Sequence, residues 1–233
     1  MYFYSTNIPT VLNQAHTIQG EEAGHLLVMR VQRGQVLTLC NLNGTVAIIK
    51  ILDADKKTKK IEYEILEINS SSKDTKTQSD KVLFQSLLSK DYMEKMYEIL
   101  PLSQFDKIFI FRTRYSVNNE ANPINWERLH RILIRSCEQS ERVFLPEIVV
   151  LDNKEELELQ LKKYLPTVMD CNVNSRDTKK NKTSNSAVLI GPEGGFDDAE
   201  REYYITLGLG FNTMGTQIYP AWIAGLVSGE RLN

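Results

Sequence analysis

Between residues 187 and 202 the chain reads AVLIGPEGGFDDAERE: an apolar run, a corner with Gly191, Gly194 and Gly195, then an acidic stretch. Glycines at the end of a strand can take positive φ and let a ligand approach the main chain closely, while Pro192 fixes one φ and stiffens the corner. A phosphate loop of the Walker type needs a Lys and a Ser or Thr after its glycines, and a dinucleotide fingerprint needs G-x-G-x-x-G; the corner has neither. Glu193, Asp197 and Asp198 add negative charge that repels phosphate. Two readings of the residues stay open: a seat for a ligand that is positively charged or held through backbone and adenine edges, or a tight turn whose glycines serve sterics alone. Asp197 suits a helix N-cap, and Glu200 three residues later completes a capping box.

Other reactive residue types are scattered. Cys40, Cys137 and Cys171 are odd in number, far apart and outside any CxxC, so neither a disulfide framework nor a zinc site is expected, and no metal is. His16 and His130 have no assigned role. The formal net charge of -2 lacks the basic excess of a dedicated nucleic-acid binder, so any RNA contact must be local.

The elements that must position the corner follow from periodicity. In a chain of 233 residues, 42% hydrophobic and 25% charged, two soluble globular domains are expected. No apolar run approaches the ~20 residues of a membrane span, and the N-terminus lacks the basic start and apolar core of a signal peptide, so a cytoplasmic protein is expected. GQVLTLCN, GTVAIIKIL and KKIEYEILEI are three β-rich segments separated by polar turns, a small β domain over residues 1–72. NSSSKDTKTQSD contains the linker, 73–80. From 81 to 233 strands alternate with helices: KVLFQSLL, DYMEKMYEIL, DKIFIF, residues 124–140, EIVVL, EELELQLKKYL, SAVLI, DDAEREYYITLG, GFNTMG and a last helix. This pattern predicts an α/β domain with a parallel sheet covered on both faces. The helix at 124–140 places Ile124, Leu129, Ile132, Leu133 and Cys137 on one face and Glu127, Arg128, Arg131 and Glu138 outward. A polar stretch near 172–186 is expected to be a mobile loop. Gly225 and Gly229 weaken the last helix by about 1 kcal/mol each relative to Ala.

LIGPEGGF, an acidic helix and the later MGTQI resemble the C-terminal signature segments of SPOUT methyltransferases, and specifically the RsmE family, which methylates ring nitrogen N(3) of a uridine in 16S ribosomal RNA. The resemblance extends over nearly the whole chain. HLLVMRVQRGQ is similar to the family's H-x-x-V-x-R-x-x-x-G segment through His25, Val28, Arg30 and Gly34. RYSV at 114–117 and NWERLHRILIRSCEQSERVFLPEI match further segments through Arg114, Trp126, Glu138, Gln139, Ser140, Arg142 and Pro146.

The resemblance implies a PUA-like β barrel for RNA followed by a trefoil-knotted SPOUT domain, acting as a homodimer paired through the knot on the 16S rRNA of the 30S subunit. It implies S-adenosyl-L-methionine as cofactor, held by main chain at Leu189, Ile190, Gly191, Pro192, Glu193, Gly194 and Gly195, and at Met214, Gly215 and Ile218. For RNA it points to His25, Arg30, Arg33, Arg114 and Arg142, since guanidinium forks match phosphate geometry. Glu193, the one carboxylate in the corner, is the candidate catalytic residue. The final segment departs from the family's L-G-x-x-I-L-R-x-E-T-A: Tyr219, Pro220 and Trp222 stand where Leu, Arg and Glu are usual. The alternative to an active methyltransferase is therefore an RNA-binding or ribosome-assembly protein of the same fold.

Overall fold

A computed structural model describes residues 2–70, 81–117, 123–172, 186–215 and 217–230. The expected linker lies outside the described residues, as does the expected loop near 172–186 apart from its two ends. The chain divides into two compact units, Met1–Thr77 with Ile134–Leu145, and Gln78–Leu133 with Pro146–Asn233.

The first unit holds β1 (Phe3–Tyr4), β2 (Ala15–Gln19), α1 (Gly20–Val28), β3 (Val36–Cys40), β4 (Thr45–Asp55) and β5 (Lys60–Ser70). Its five strands form one sheet in the order β1-β3-β4-β5-β2. β4 and β5 are antiparallel, and their turn is tied by Asp55, whose carboxylate accepts from Lys57 N and the Thr58 hydroxyl. Alternation sends Ala47, Ile49 and Ile51 of β4 and Ile61, Tyr63 and Ile65 of β5 into one core. Beyond the three β-rich segments read in the sequence, the unit has β1, β2 and a helix. The nine residues of α1 include two glycines and so have little helical propensity of their own. The helix is held by Ala23, Leu26 and Leu27, spaced i, i+3, i+4 and buried in the same core.

The helix α3 (Trp126–Ser140) begins two residues later than expected, because the Asn125 side chain accepts from Arg128 N and caps it, leaving Ile124 outside. Leu129, Leu133 and Cys137 are buried as their spacing predicts. Glu138 is a correction. It faces inward rather than out, because its carboxylate accepts the Tyr4 N–H of β1 at 2.6 Å. Cys40, Leu42 and Cys137 are buried together near it, and burial pushes the Cys137 thiol up to about 12, so it is a neutral core side chain.

The second unit is built on β6 (Val82–Ser86), β7 (Lys107–Phe111), β8 (Glu147–Val150), β9 (Thr167–Met169), β10 (Ala187–Ile190) and β11 (Phe211–Asn212). All pair in parallel, in the order β11-β9-β10-β6-β7-β8. β9 is absent from the sequence reading: three residues after Pro166 carry no period. Val82, Phe84, Phe109, Phe111, Ala187 and Leu189 alternate onto one face and meet Leu157 and Leu161 of α4 (Lys154–Tyr164) and Tyr204 of α5 (Asp198–Thr206). The opposite face takes α2 (Lys90–Ile99) and α6 (Ala221–Glu230), which pack on each other. Gly225 and Gly229 of α6 have a packing reason: a Cβ would stand 3.0 Å from Leu83 Cδ2 at the first and 2.9 Å from Phe105 Cε2 at the second.

Candidate functional site

β6 and β10 are the two middle strands of the parallel sheet, and ligands in such sheets gather outside the carboxyl ends of the strands. There β10 delivers the chain to the glycine corner. Pro192 to Gly195 form a β-turn closed by Gly195 N–H donating to Pro192 O at 3.0 Å, with Gly195 at φ 72°. Gly191 is required for a different reason. The Phe196 ring folds back beneath it, and a Cβ would lie 3.1 Å from Phe196 Cζ. Tyr204 supports that ring edge-on at 5.3 Å, and its burial raises the phenol well above its ordinary pKa, so the floor of the corner is neutral.

Three neighbours hold the corner in place. Gln85 of β6 is fully buried, and its Nε2 donates to Gly191 O at 3.2 Å and to Ser86 O at 3.0 Å. Its Oε1 has no hydrogen-bond partner among the described residues, an orphaned acceptor beside the corner. Glu193 Oε1 accepts from Ser89 N at 2.9 Å, which ties the turn to the start of α2. The loop after β7 closes the third side: Ser86 Oγ lies 2.6 Å from Thr113 Oγ1 and 2.9 Å from Ser116 Oγ. This places Tyr115 so that a Cβ on Gly194 would be 3.0 Å from Tyr115 Cβ.

The capping box read from Asp197 and Glu200 is present, with Glu200 N donating to Asp197 Oδ1 and Asp197 N donating to Glu200 Oε2. The same two carboxylates also reach Arg114. Glu200 Oε1 accepts from Arg114 N at 2.8 Å, and Asp197 Oδ2 lies 3.5 Å from Arg114 Nε, while the Arg114 side chain stays 72% exposed. The acidic flank that argued against phosphate thus holds a cation at the rim. Gln85, Ser86, Thr113 and Ser116 were not singled out from the sequence. The available signal was a Gln-Ser pair interrupting an otherwise apolar strand.

β11, two strands from β10, leads out of the same edge into Thr213, Met214, Gly215 and, beyond it, Ile218; strands ~4.8 Å apart put the two exits roughly 10 Å from each other. Gly215 has φ 102°, a conformation that favours glycine, and Ile218 is exposed. Pro220, in place of an arginine, opens α6: its carbonyl accepts from Ile223 N and Ala224 N at 3.0 Å. Trp222 lies beneath Lys95 Nζ, 5.8 Å from the ring centre.

Of the remaining candidates, His25, Arg30, Arg33 and Arg142 belong to the first unit. Arg30 and Arg33 are exposed in the turn after α1, while Arg142 is half-buried with Nε donating to Phe144 O. Among the described residues, no group of three or more His, Cys, Asp or Glu is placed to hold a metal ion, and no helix is long and apolar enough to cross a membrane.

A parallel sheet carrying a backbone-lined corner at its carboxyl edge defines a class, and residues 75–228 match the model of the RNA methyltransferase domain family. Ribosomal RNA small subunit methyltransferase E of Helicobacter pylori is 31% identical over 193 residues, 80% of each chain. A crystal structure of Ribosomal RNA small subunit methyltransferase E from Neisseria gonorrhoeae bound to S-adenosyl methionine aligns with a TM-score of 0.79 at 21% identity, covering 99% of this chain and 95% of that one. A probable rRNA-methyltransferase from Porphyromonas gingivalis aligns at 0.73 and 24% identity, over 99% and 96% of the two chains. The chain belongs to the RsmE family of SPOUT methyltransferases.

Proposed function

We propose that this chain methylates ring nitrogen N(3) of a uridine in the 16S rRNA of the small subunit, with S-adenosyl-L-methionine as methyl donor. The observation that carries this reading is the corner itself: a rigid, backbone-lined turn with an orphaned buried acceptor, Gln85 Oε1, and glycines whose missing Cβ atoms leave no room for other residues. Such a donor and acceptor set fits an adenosyl ligand read through main-chain groups better than it fits a phosphate. Leu189 to Gly195 would form one wall, and Met214, Gly215 and Ile218 the other. When bound, the cofactor supplies an electrophilic methyl group on a sulfonium.

The residues of the chain supply the rest. The uridine N(3) proton must leave for the nitrogen to become a nucleophile. We assign its acceptance to Glu193 Oε2, since Oε1 is held by Ser89 N and the carboxylate is thereby aimed. Arg114, exposed at the rim and restrained by Asp197 and Glu200, would contact the RNA and bring the base to the corner, where orientation lowers the barrier. His25, Arg30, Arg33 and Arg142 would bind RNA from the first unit, which we read as a PUA-like barrel. The second unit is read as a trefoil-knotted domain that pairs with a second copy, in the cytoplasm. Because Pro220 starts α6 rather than breaking it, the altered final segment is compatible with an active enzyme.

The test is tritium transfer from labelled S-adenosylmethionine to unmethylated 30S subunits. Incorporation at a uridine N(3), mapped by nuclease digestion and mass spectrometry, is expected; cofactor binding by calorimetry without any incorporation would sink the proposal.

A further inference from the structure

The first unit contains a buried charge that this chemistry leaves without a purpose. Glu138 is 5% exposed, in a region where Cys40, Leu42 and Cys137 are also buried, and burial raises its carboxyl above the usual range, opposed by the Tyr4 N–H, His25 and Arg135. Replacing buried ionic groups by apolar ones of similar size often leaves stability unchanged or improves it, so a buried carboxylate here calls for another reason. Its neighbours indicate one. Glu138 Oε1 lies 3.7 Å from His25 Nδ1, yet the His25 side chain is 45% exposed and its ring meets Phe3 edge-on at 6.2 Å. Arg135, also exposed, precedes Glu138 by one helical turn and so shares its side of α3.

We propose that His25 and Arg135 form a binding site for a backbone phosphate of the substrate RNA, with Glu138 as the positioning residue behind them. The carboxylate turns Nδ1 of the imidazole inward and leaves Nε2 to face solvent. Two basic side chains thus present themselves outward from one buried carboxylate. The groups facing Glu138 are His25 on α1, Tyr4 on β1, Cys40 on β3, and Arg135 and Cys137 on its own helix. This inference rests on the reading that ribosomal RNA is the substrate.

The experiment measures affinity of the full chain for unmethylated 30S subunits between 50 and about 200 mM salt, the range over which phosphate contacts are read out. His25→Ala and Arg135→Ala are each expected to weaken binding about three-fold and to reduce the salt slope by about one. Glu138→Gln preserves shape and the Tyr4 contact but removes the charge that holds Nδ1, so it should also weaken binding and reduce the salt slope, while His25→Arg should restore the slope that His25→Ala loses. Cofactor affinity, read at the other unit, serves as the folding control and should not move. The proposal is overturned if both alanine variants retain the wild-type salt slope, or if Glu138→Gln leaves the salt slope unchanged. Failure of the wild-type protein to bind or methylate the subunits would instead overturn the functional reading on which it rests.

Discussion

Replacing Gly229 by Ala sets two effects of opposite sign against each other. In an isolated helix the change stabilises by about 1 kcal/mol, because glycine costs the most backbone entropy. In this protein the added Cβ would lie 2.9 Å from Phe105 Cε2 and 3.1 Å from Cζ, against an optimum of ~3.5 to 4.0 Å for carbon pairs. Phe105 is wholly buried, so its ring cannot swing into solvent. Overpacking of this kind costs roughly 1 to 3 kcal/mol, and the net result is a loss of up to about 2 kcal/mol. Both tryptophans, Trp126 and Trp222, lie in the second unit, so their fluorescence follows its unfolding alone. A midpoint lower than wild type by up to about 8 °C is expected. The partner variant Phe105→Leu closes a double-mutant cycle: it is destabilising alone, but in its presence Gly229→Ala should become neutral or stabilising. A Gly229→Ala protein that melts higher than wild type, or a cycle without coupling, would refute the packing reason for this glycine.

Further outcomes are expected. Gly194→Ala drives a Cβ to 3.0 Å from Tyr115 Cβ, an atom close to the main chain that cannot rotate away, and should weaken S-adenosylmethionine binding about ten-fold by calorimetry, equal to about 1.4 kcal/mol. Glu193→Ala removes the acceptor for Ser89 N and should lower stability by about 1 kcal/mol. Glu193→Gln keeps that acceptor, so it should bind cofactor normally and lose methyl transfer; an active Gln variant removes Glu193 from proton transfer. The Arg128 hydrogen bonds hold the Glu94 carboxyl below its usual range. A folded value below the unfolded one means the unfolded chain takes up the proton first, so this stabilisation is present at neutral pH and is lost as pH falls through the carboxylate range. Comparing urea midpoints at pH 7 and pH 3.5, Arg128→Ala should show a smaller acid-induced loss than wild type, a small difference because solvent screens so exposed a pair.

Much of the second unit was legible because its signals are local. Apolar runs such as AVLI and KIFIF, separated by amphipathic segments, dictate buried parallel strands with crossover helices, and Asp197 with Glu200 dictates a capped helix start. The glycine corner was visible for the same reason: positive φ and close approach are demands on single residues. Several short elements were not legible. β9 has three residues and α1 nine, and each is held by what it packs against rather than by its own preference.

Neighbouring residues alone specify the longer strands and helices, the corner at Gly191 to Gly195 and the family, because periodicity, caps and motifs are local signals. Packing between distant segments sets what those residues touch. Glu138 reads as one more outward charge on α3 until β1 presents Tyr4 N to it. Glu200 reads as half of a cap until the β7 loop brings Arg114 N to its other oxygen. Gly229 reads as a weak point until Phe105 occupies the space a side chain would need. In each case the partner lies far along the chain, and a buried charge, a shared carboxylate or a missing Cβ acquires its reason only from the group that packing sets against it.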